Sequence, residues 1–135
     1  MIATPPEVTF HTAQRLFTWH PYGVLDSDVT SKIISFLEFE EEEMEEPFNR
    51  FTDLTHLMAI ELDIEYVVRA SMHRRRVYAG REPVKSAFLA TTPEAIRIAK
   101  VHEILTEQSP LHVLVFTNLA EAAEWLGVPL DLLRE

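Results

Sequence analysis

Apolar positions recur along this chain with two alternating spacings, one that suits strands and one that suits helices. Near the amino terminus, Val8 and Phe10, then Leu16, Phe17 and Trp19, are strand formers. They predict a hairpin of Val8 to Thr12 and Arg15 to His20, turning at Ala13-Gln14. Pro21 and Gly23 close the second strand. Beyond them the period changes. Val29, Ile33, Phe36 and Leu37 fall on one helical face, with Asp26 or Ser27 as the cap. Phe51 to Leu57 reads as a strand. Asp63 then caps a second helix, whose inner face is expected to carry Ile64, Val67, Val68, Ser71 and Arg75, and Gly80 ends it. Val84 to Ala90 is a short apolar run with small residues, as suits a buried parallel strand. Thr92-Pro93-Glu94 is a strong helix start: a cap, a proline at the first helical position, then an acid. Ala95, Ile98, Ala99, His102 and Leu105 form one face of that third helix, where His102 is expected as a partly buried, hydrogen-bonded core residue. Leu111 to Thr117 is a further strand. Asn118 caps a fourth helix with Glu121 three residues on. That helix finishes at Trp125 and Leu126, with Gly127 as its stop and Pro129 beyond.

The predicted order is hairpin, helix, strand, helix, strand, helix, strand, helix. Strands alternating with helices predict an α/β fold with a mixed sheet of about five strands, parallel in its later part, and about four helices packed on it. No internal repeat and no Gly/Ser linker interrupts the chain, so residues 1–135 are expected to form a single domain.

Charge refines this picture at two places. The net charge is −10, and seven of the 22 acids lie between Glu38 and Glu46. Acids at a helix carboxyl end oppose its dipole, so the first helix is expected to fray or stop within the run, before Pro47. The run itself is expected to be a solvated helix end. Six of the 12 basic residues fall between Arg69 and Lys85, and in Arg74-Arg75-Arg76 at least one side chain must face solvent. The acidic total argues against a nucleic-acid partner, while the local basic cluster suits an anionic contact. With no cysteine, disulfide and thiol chemistry are excluded. Met1-Ile-Ala-Thr-Pro-Pro-Glu has neither the basic start nor the apolar run of a signal peptide, and no segment approaches the roughly 20 apolar residues of a membrane span. A cytoplasmic location is the expectation.

Catalytic and metal-binding patterns are sparse. The six histidines show no His-x-His or His-x-x-x-His spacing, so no metal or other cofactor is expected. No Gly-x-Ser-x-Gly element occurs, and three glycines in all leave little to cradle phosphate. No catalytic residue is assigned. In open sheets with parallel strands, ligands gather beyond the carboxyl ends of the strands. Those ends are Thr55-His56, Thr91-Thr92 and Thr117-Asn118, two of them leading into helix amino termini that favour anions. Thr55, His56, Thr92, Asn118, Arg74 and Arg76 are therefore the candidate ligand or partner surface, although Thr92 and Asn118 are accounted for by capping alone.

The order of elements, the strand leading to Gly23-Val-Leu-Asp26 and a helix, the strand Phe51-Thr-Asp-Leu-Thr55, and the closing strand–helix pair resemble a STAS domain, the fold of SpoIIAA-type anti-sigma-factor antagonists. The resemblance runs from about Val8 to Pro129. The segments Asn49-Arg-Phe-Thr-Asp-Leu, Arg75-Arg-Val-Tyr-Ala-Gly, Pro83-Val-Lys-Ser-Ala-Phe-Leu-Ala and Ala122-Ala-Glu-Trp-Leu-Gly-Val-Pro are similar to a bacterial SpoIIAA-like branch grouped with STAS and with the CRAL-TRIO lipid-exchange domains. This implies a non-catalytic regulatory role through a protein partner. The alternative it implies is a carrier or sensor of a small apolar ligand or lipid, associated with a membrane surface. A homodimer through the second helix or the hairpin edge fits either. The family's phosphoacceptor serine does not carry over: Thr55-His-Leu-Met-Ala-Ile-Glu-Leu-Asp63 offers Thr55 as its single hydroxyl.

Overall fold

The computed structural model describes residues 5–135, so Met1 to Thr4 of the expected leader-free terminus lie outside the described residues. Its elements are β1 (Val8–His11), β2 (Leu16–Trp19), β3 (Gly23–Asp26), α1 (Ser27–Glu43), β4 (Asn49–Asp53), β5 (Leu57–Glu61), α2 (Ile64–Tyr78), β6 (Val84–Leu89), α3 (Pro93–Leu105), β7 (Leu111–Phe116) and α4 (Leu119–Leu126), closed by a 3-10 turn at Leu130–Arg134. Five strands form one sheet in the order β1-β2-β4-β6-β7. β1 and β2 are the antiparallel hairpin, and β4, β6 and β7 extend it in parallel. The predicted α/β mixed sheet with four helices is present.

The segment after Asp53 departs from the predicted strand. Phe51 to Leu57 is not one strand. β4 stops at Asp53, the chain turns through Leu54-Thr55-His56, and β5 begins at Leu57. β5 leaves the main sheet and pairs in parallel with β3, the segment that leads into α1, to form a separate two-stranded sheet. The break has a local cause. The Asp53 carboxylate accepts hydrogen bonds from the Thr55 amide (2.9 Å) and hydroxyl (2.6 Å). That is an Asx turn, which competes with the strand ladder.

Helix caps fall where the sequence placed them. Asp26, Asp63, Thr92 and Asn118 each accept from the backbone amide three residues on, and Gly127 is left-handed at φ 71°. α1 ends at Glu43, within the acidic run and before Pro47, as its charge pattern predicts. One helix face differs from expectation. On α2 the buried positions are Val67, Ser71, Arg74 and Tyr78, while Ile64 and Val68 are exposed. The inner face is thus rotated from the one predicted by the sequence, keeping Val67 and Ser71 but including Arg74 rather than Arg75.

The two faces of the sheet have separate cores. On one, Leu16, Phe51, Ala87 and Leu89 pack against Ala122, Ala123 and Leu126 of α4 and Leu133 of the closing turn. On the other, Phe17 meets Ile33 and Phe36 of α1, and Leu25, Leu54 and Ala90 meet Ala95 and Ala99 of α3. Alternation along β4 sends Phe51 and Asp53 to the first face and Arg50 and Thr52 to the second.

A buried arginine at the middle of a central strand needs a partner. Arg50 donates to the Tyr78 hydroxyl and to the Phe48 carbonyl (3.1 Å). Arg74 of α2 reaches the same hydroxyl at 3.0 Å. Glu41 closes the cluster from α1, with ion-pair distances of 3.7 Å to Arg50, 3.8 Å to Arg74 and 3.7 Å to Arg81. Glu38 adds a 3.1 Å contact to Arg74. The acidic run is therefore not wholly solvated. Two of its members turn inward, because only they can neutralise the guanidinium groups beneath. Replacing one partner of such a buried set leaves charge uncompensated. Glu41→Gln should cost about 3 kcal/mol of stability, whereas Glu43→Gln, on the exposed side of the same helix, should cost less than about 0.5 kcal/mol. Urea denaturation of the two variants checks this, and equal effects would refute the role given to Glu41.

Candidate functional site

α1 and α2 do not close fully onto the sheet. Between them, the sheet and α3 lies a cavity of about 130 Å³. Leu25, Ile33, Ile34 and Leu37 wall it on the α1 side, with Tyr66, Val67 and Ala70 on α2, Ile98 and Ala99 on α3, and Trp19, Leu54 and Phe88 below. Most of this lining is apolar. Thr52 and Ser86, on neighbouring strands, bring hydroxyls to the floor, and Arg50, Ser71, Arg74 and His102 edge it.

The seam between α1 and α2 is held by polar side chains. At one end the Tyr66 hydroxyl meets Ser31 Oγ at 2.6 Å and donates to the Ser27 carbonyl at 3.2 Å. At the other, Glu38 holds both His73 (2.9 Å) and Arg74.

Most polar groups around the cavity are already engaged with one another. His102 Nδ1 and Ser71 Oγ share a 2.8 Å hydrogen bond, and the His102 ring stands edge-on to Phe88. Burial, reinforced by the charge of Arg74, depresses the His102 pKa to about 3, so the imidazole is neutral. Tyr78 is pushed up, chiefly by burial, against the opposing charges of Arg50 and Arg74. His102 is the hydrogen-bonded core residue that the sequence suggested.

The six candidate surface residues are not one site. Thr92 and Asn118 are exposed caps of α3 and α4. Arg76 is exposed near the end of α2. Arg74 is not a surface residue: it is buried in the Tyr78 cluster, because the α2 inner face includes it. Only Thr55 and His56 come together, in the turn after β4, where His56 Nε2 lies 3.3 Å from Asp53 Oδ2. His20, which follows β2, approaches the same oxygen at 3.3 Å through Nδ1. Burial would raise the Asp53 pKa, but hydrogen bonds from His20 and Thr55 and the charge of His56 outweigh it and hold the carboxyl at about 2. His20 is correspondingly raised, first by its hydrogen bond to Asp53. The cavity-lining hydroxyls of Thr52 and Ser86 were missed from sequence, as was the pairing of His20 with Asp53. The alternation of polar with apolar residues in Arg50-Phe51-Thr52 was the one local signal that polar groups face the α1–α2 layer.

A five-stranded mixed sheet carrying α1, α2 and α3 on one face and α4 on the other is a SpoIIAA-like fold, as the resemblance implied. The structural match behind that statement is an uncharacterised protein of the DUF3478 family from Shewanella loihica PV-4, described as having a SpoIIAA-like fold. It aligns with a TM-score of 0.53 and 14% identity over 82% of this chain and 83% of that one. At that identity the likeness is one of fold. No protein-family model matches the chain, and no curated protein matches it. Among the described residues, no helix is long and apolar enough to cross a membrane.

Because the folded pKa of His102 lies far below the usual 6.5, the unfolded chain takes up a proton there that the folded chain refuses. The contribution is silent above pH 6.5. It destabilises as pH falls from 6.5 toward about 3, by roughly 1.4 kcal/mol for each pH unit. Denaturant unfolding from pH 8 to pH 4 should therefore show wild type losing stability faster than His102→Gln below pH 6.5, with the curves parallel above pH 7.

Proposed function

We propose that the protein binds a small apolar molecule in the cavity under α1 and α2, acting as its carrier or sensor. The cavity itself supports this reading. Its volume of about 130 Å³ is close to that of an engineered apolar cavity of about 150 Å³ that takes up benzene. The occupant is thus about the size of one six-membered ring, well short of an acyl chain. This narrows the lipid carrier suggested by sequence to a ring-sized ligand. The Thr52 and Ser86 hydroxyls favour a ring with one polar substituent.

A binding role is preferred over a catalytic one for a physical reason. The titratable groups at the cavity edge are occupied with each other: Arg50 and Arg74 with Tyr78, and His102 with Ser71. A catalytic group must instead reach the bound molecule. The Ser31–Tyr66 contact bridges α1 and α2 beside the cavity, and both residues are accessible to solvent.

A second reading, protein docking at the small sheet, is favoured by a different observation. Met58 is 85% exposed and Tyr22 66%, with Val24 beside them on β3. Leu25 and Leu62 line the cavity from the neighbouring side, so a ligand there would lie directly behind this apolar face. Docking is distinguished by Met58→Glu, which should reduce capture of a defined host partner and leave ligand binding unchanged.

For the primary reading, ligand-observed NMR with benzene, phenol and indole should show saturable binding, with phenol tighter than benzene. Ala70→Leu, which fills the cavity from α2, should weaken binding at least tenfold without lowering the melting temperature. Absence of binding for all three molecules, or full binding by Ala70→Leu, would overturn the proposal.

A further inference from the structure

The carboxyl ends of β2 and β4 bring three metal-ligating side chains to one point, away from the cavity. His20 follows β2, Asp53 ends β4, and His56 lies in the turn three residues later. Their ligand atoms, one from each side chain, lie within 4.8 Å of one another. We propose that His20, Asp53 and His56 form a binding site for a single divalent transition-metal ion of zinc's coordination preference, with one position open to solvent.

The distances suit a tetrahedral ion. Bonds of about 2.0–2.1 Å in a tetrahedral zinc site place neighbouring ligand atoms about 3.3–3.4 Å apart. The same bonds at octahedral right angles would give edges of about 2.9 Å. Asp53 Oδ2 lies 3.3 Å from His20 Nδ1 and 3.3 Å from His56 Nε2. Both edges shared by the carboxylate therefore have the tetrahedral length. The third edge, between the histidines, can close without disturbing the fold, because the His56 side chain is 63% exposed. Two imidazoles with one carboxylate also suit zinc better than calcium or magnesium, which take oxygen ligands.

Supporting contacts already orient two of the ligands. The second nitrogen of His20, Nε2, lies 3.1 Å from the main-chain oxygen of Glu135. Metal-bound histidines commonly make this contact through the ring nitrogen away from the metal. The other oxygen of Asp53, Oδ1, takes the amide and hydroxyl of Thr55. Oδ2 is thereby turned toward the histidines. This gives Thr55 a positioning role. With three protein ligands, the fourth position would hold water or an anion. The simpler account is a His20–Asp53 ion pair with His56 passing nearby, and it makes different predictions.

The test uses the full chain, stripped of metal and titrated with Zn²⁺ in the calorimeter and with Co²⁺ by visible absorption. The proposal expects one equivalent of Zn²⁺, the strong visible bands of four-coordinate cobalt, and a melting temperature that rises with Zn²⁺. His56→Gln, at an exposed position that the fold does not need, should weaken Zn²⁺ at least tenfold and abolish the thermal shift. His20→Gln should weaken it similarly, and His112→Gln on β7 should leave it unchanged. Equal affinity in wild type and His56→Gln, no saturable binding at millimolar Zn²⁺, or only the faint bands of six-coordinate cobalt would each overturn the site in favour of the plain ion pair.

Discussion

The arrangement of helices on one face of the sheet depends on the guanidinium of Arg50. It sits near the middle of the sheet on β4, 4% exposed, where an unpaired charge would be prohibitively costly. Three groups answer it. Phe48 supplies a carbonyl, Tyr78 of α2 a hydroxyl, and Glu41 of α1 a carboxylate. Glu41 can reach only if α1 continues past Phe36 and Leu37 into its acidic run, and so the helix does continue. Arg74 shares the same acids and the same hydroxyl. The guanidinium groups stack against Phe48 and Tyr78 as well. One charge on the sheet thereby fixes the carboxyl ends of both α1 and α2.

The cavity sits beside that constraint. Bulky charged groups at one end, and the Ser31–Tyr66 contact at the other, span the gap between α1 and α2. The space between them is lined by side chains such as Ala70 and Ala99, too small to fill it. Alternation along β4 then separates two sets of chemistry. Arg50 and Thr52 face the cavity, Phe51 is fully buried in the opposite core, and Asp53 meets His20 at the strand end. A ligand under α1 and α2 and an ion beyond β4 would occupy different faces of the same strand.

The turn after β4 is organised by a single carboxylate, that of Asp53. Thr55 has its hydroxyl bound to Asp53, and His56 points at the same carboxylate. The apolar stretch that follows, Leu57 to Glu61, is not a loop leading straight to a helix. It is a strand whose partner, β3, arises some thirty residues earlier in the chain. Pairing of that kind has no local signature, so the segment reads as a continuation of β4 until the two short strands are brought together.

The sequence by itself determined the helix starts, the central parallel strands and the SpoIIAA-like order of elements. These rest on interactions within a few residues: Asp63 capping Tyr66, Thr92 capping Ala95, Gly127 in the left-handed region, and the short apolar run of Val84 to Leu89. It also marked Thr55 and His56 as neighbours at a strand end. Tertiary structure alone decided that Arg74 is buried, that Glu38 and Glu41 turn inward, that β5 joins β3, and that His20 meets Asp53 across 33 positions. Charge periodicity on α1 and α2 cannot show which acids face which arginines, because the answer depends on the rotation of each helix on the sheet. Spacing among histidines likewise fails when the ligands come from different strands, since proximity there is set by strand order and not by sequence separation.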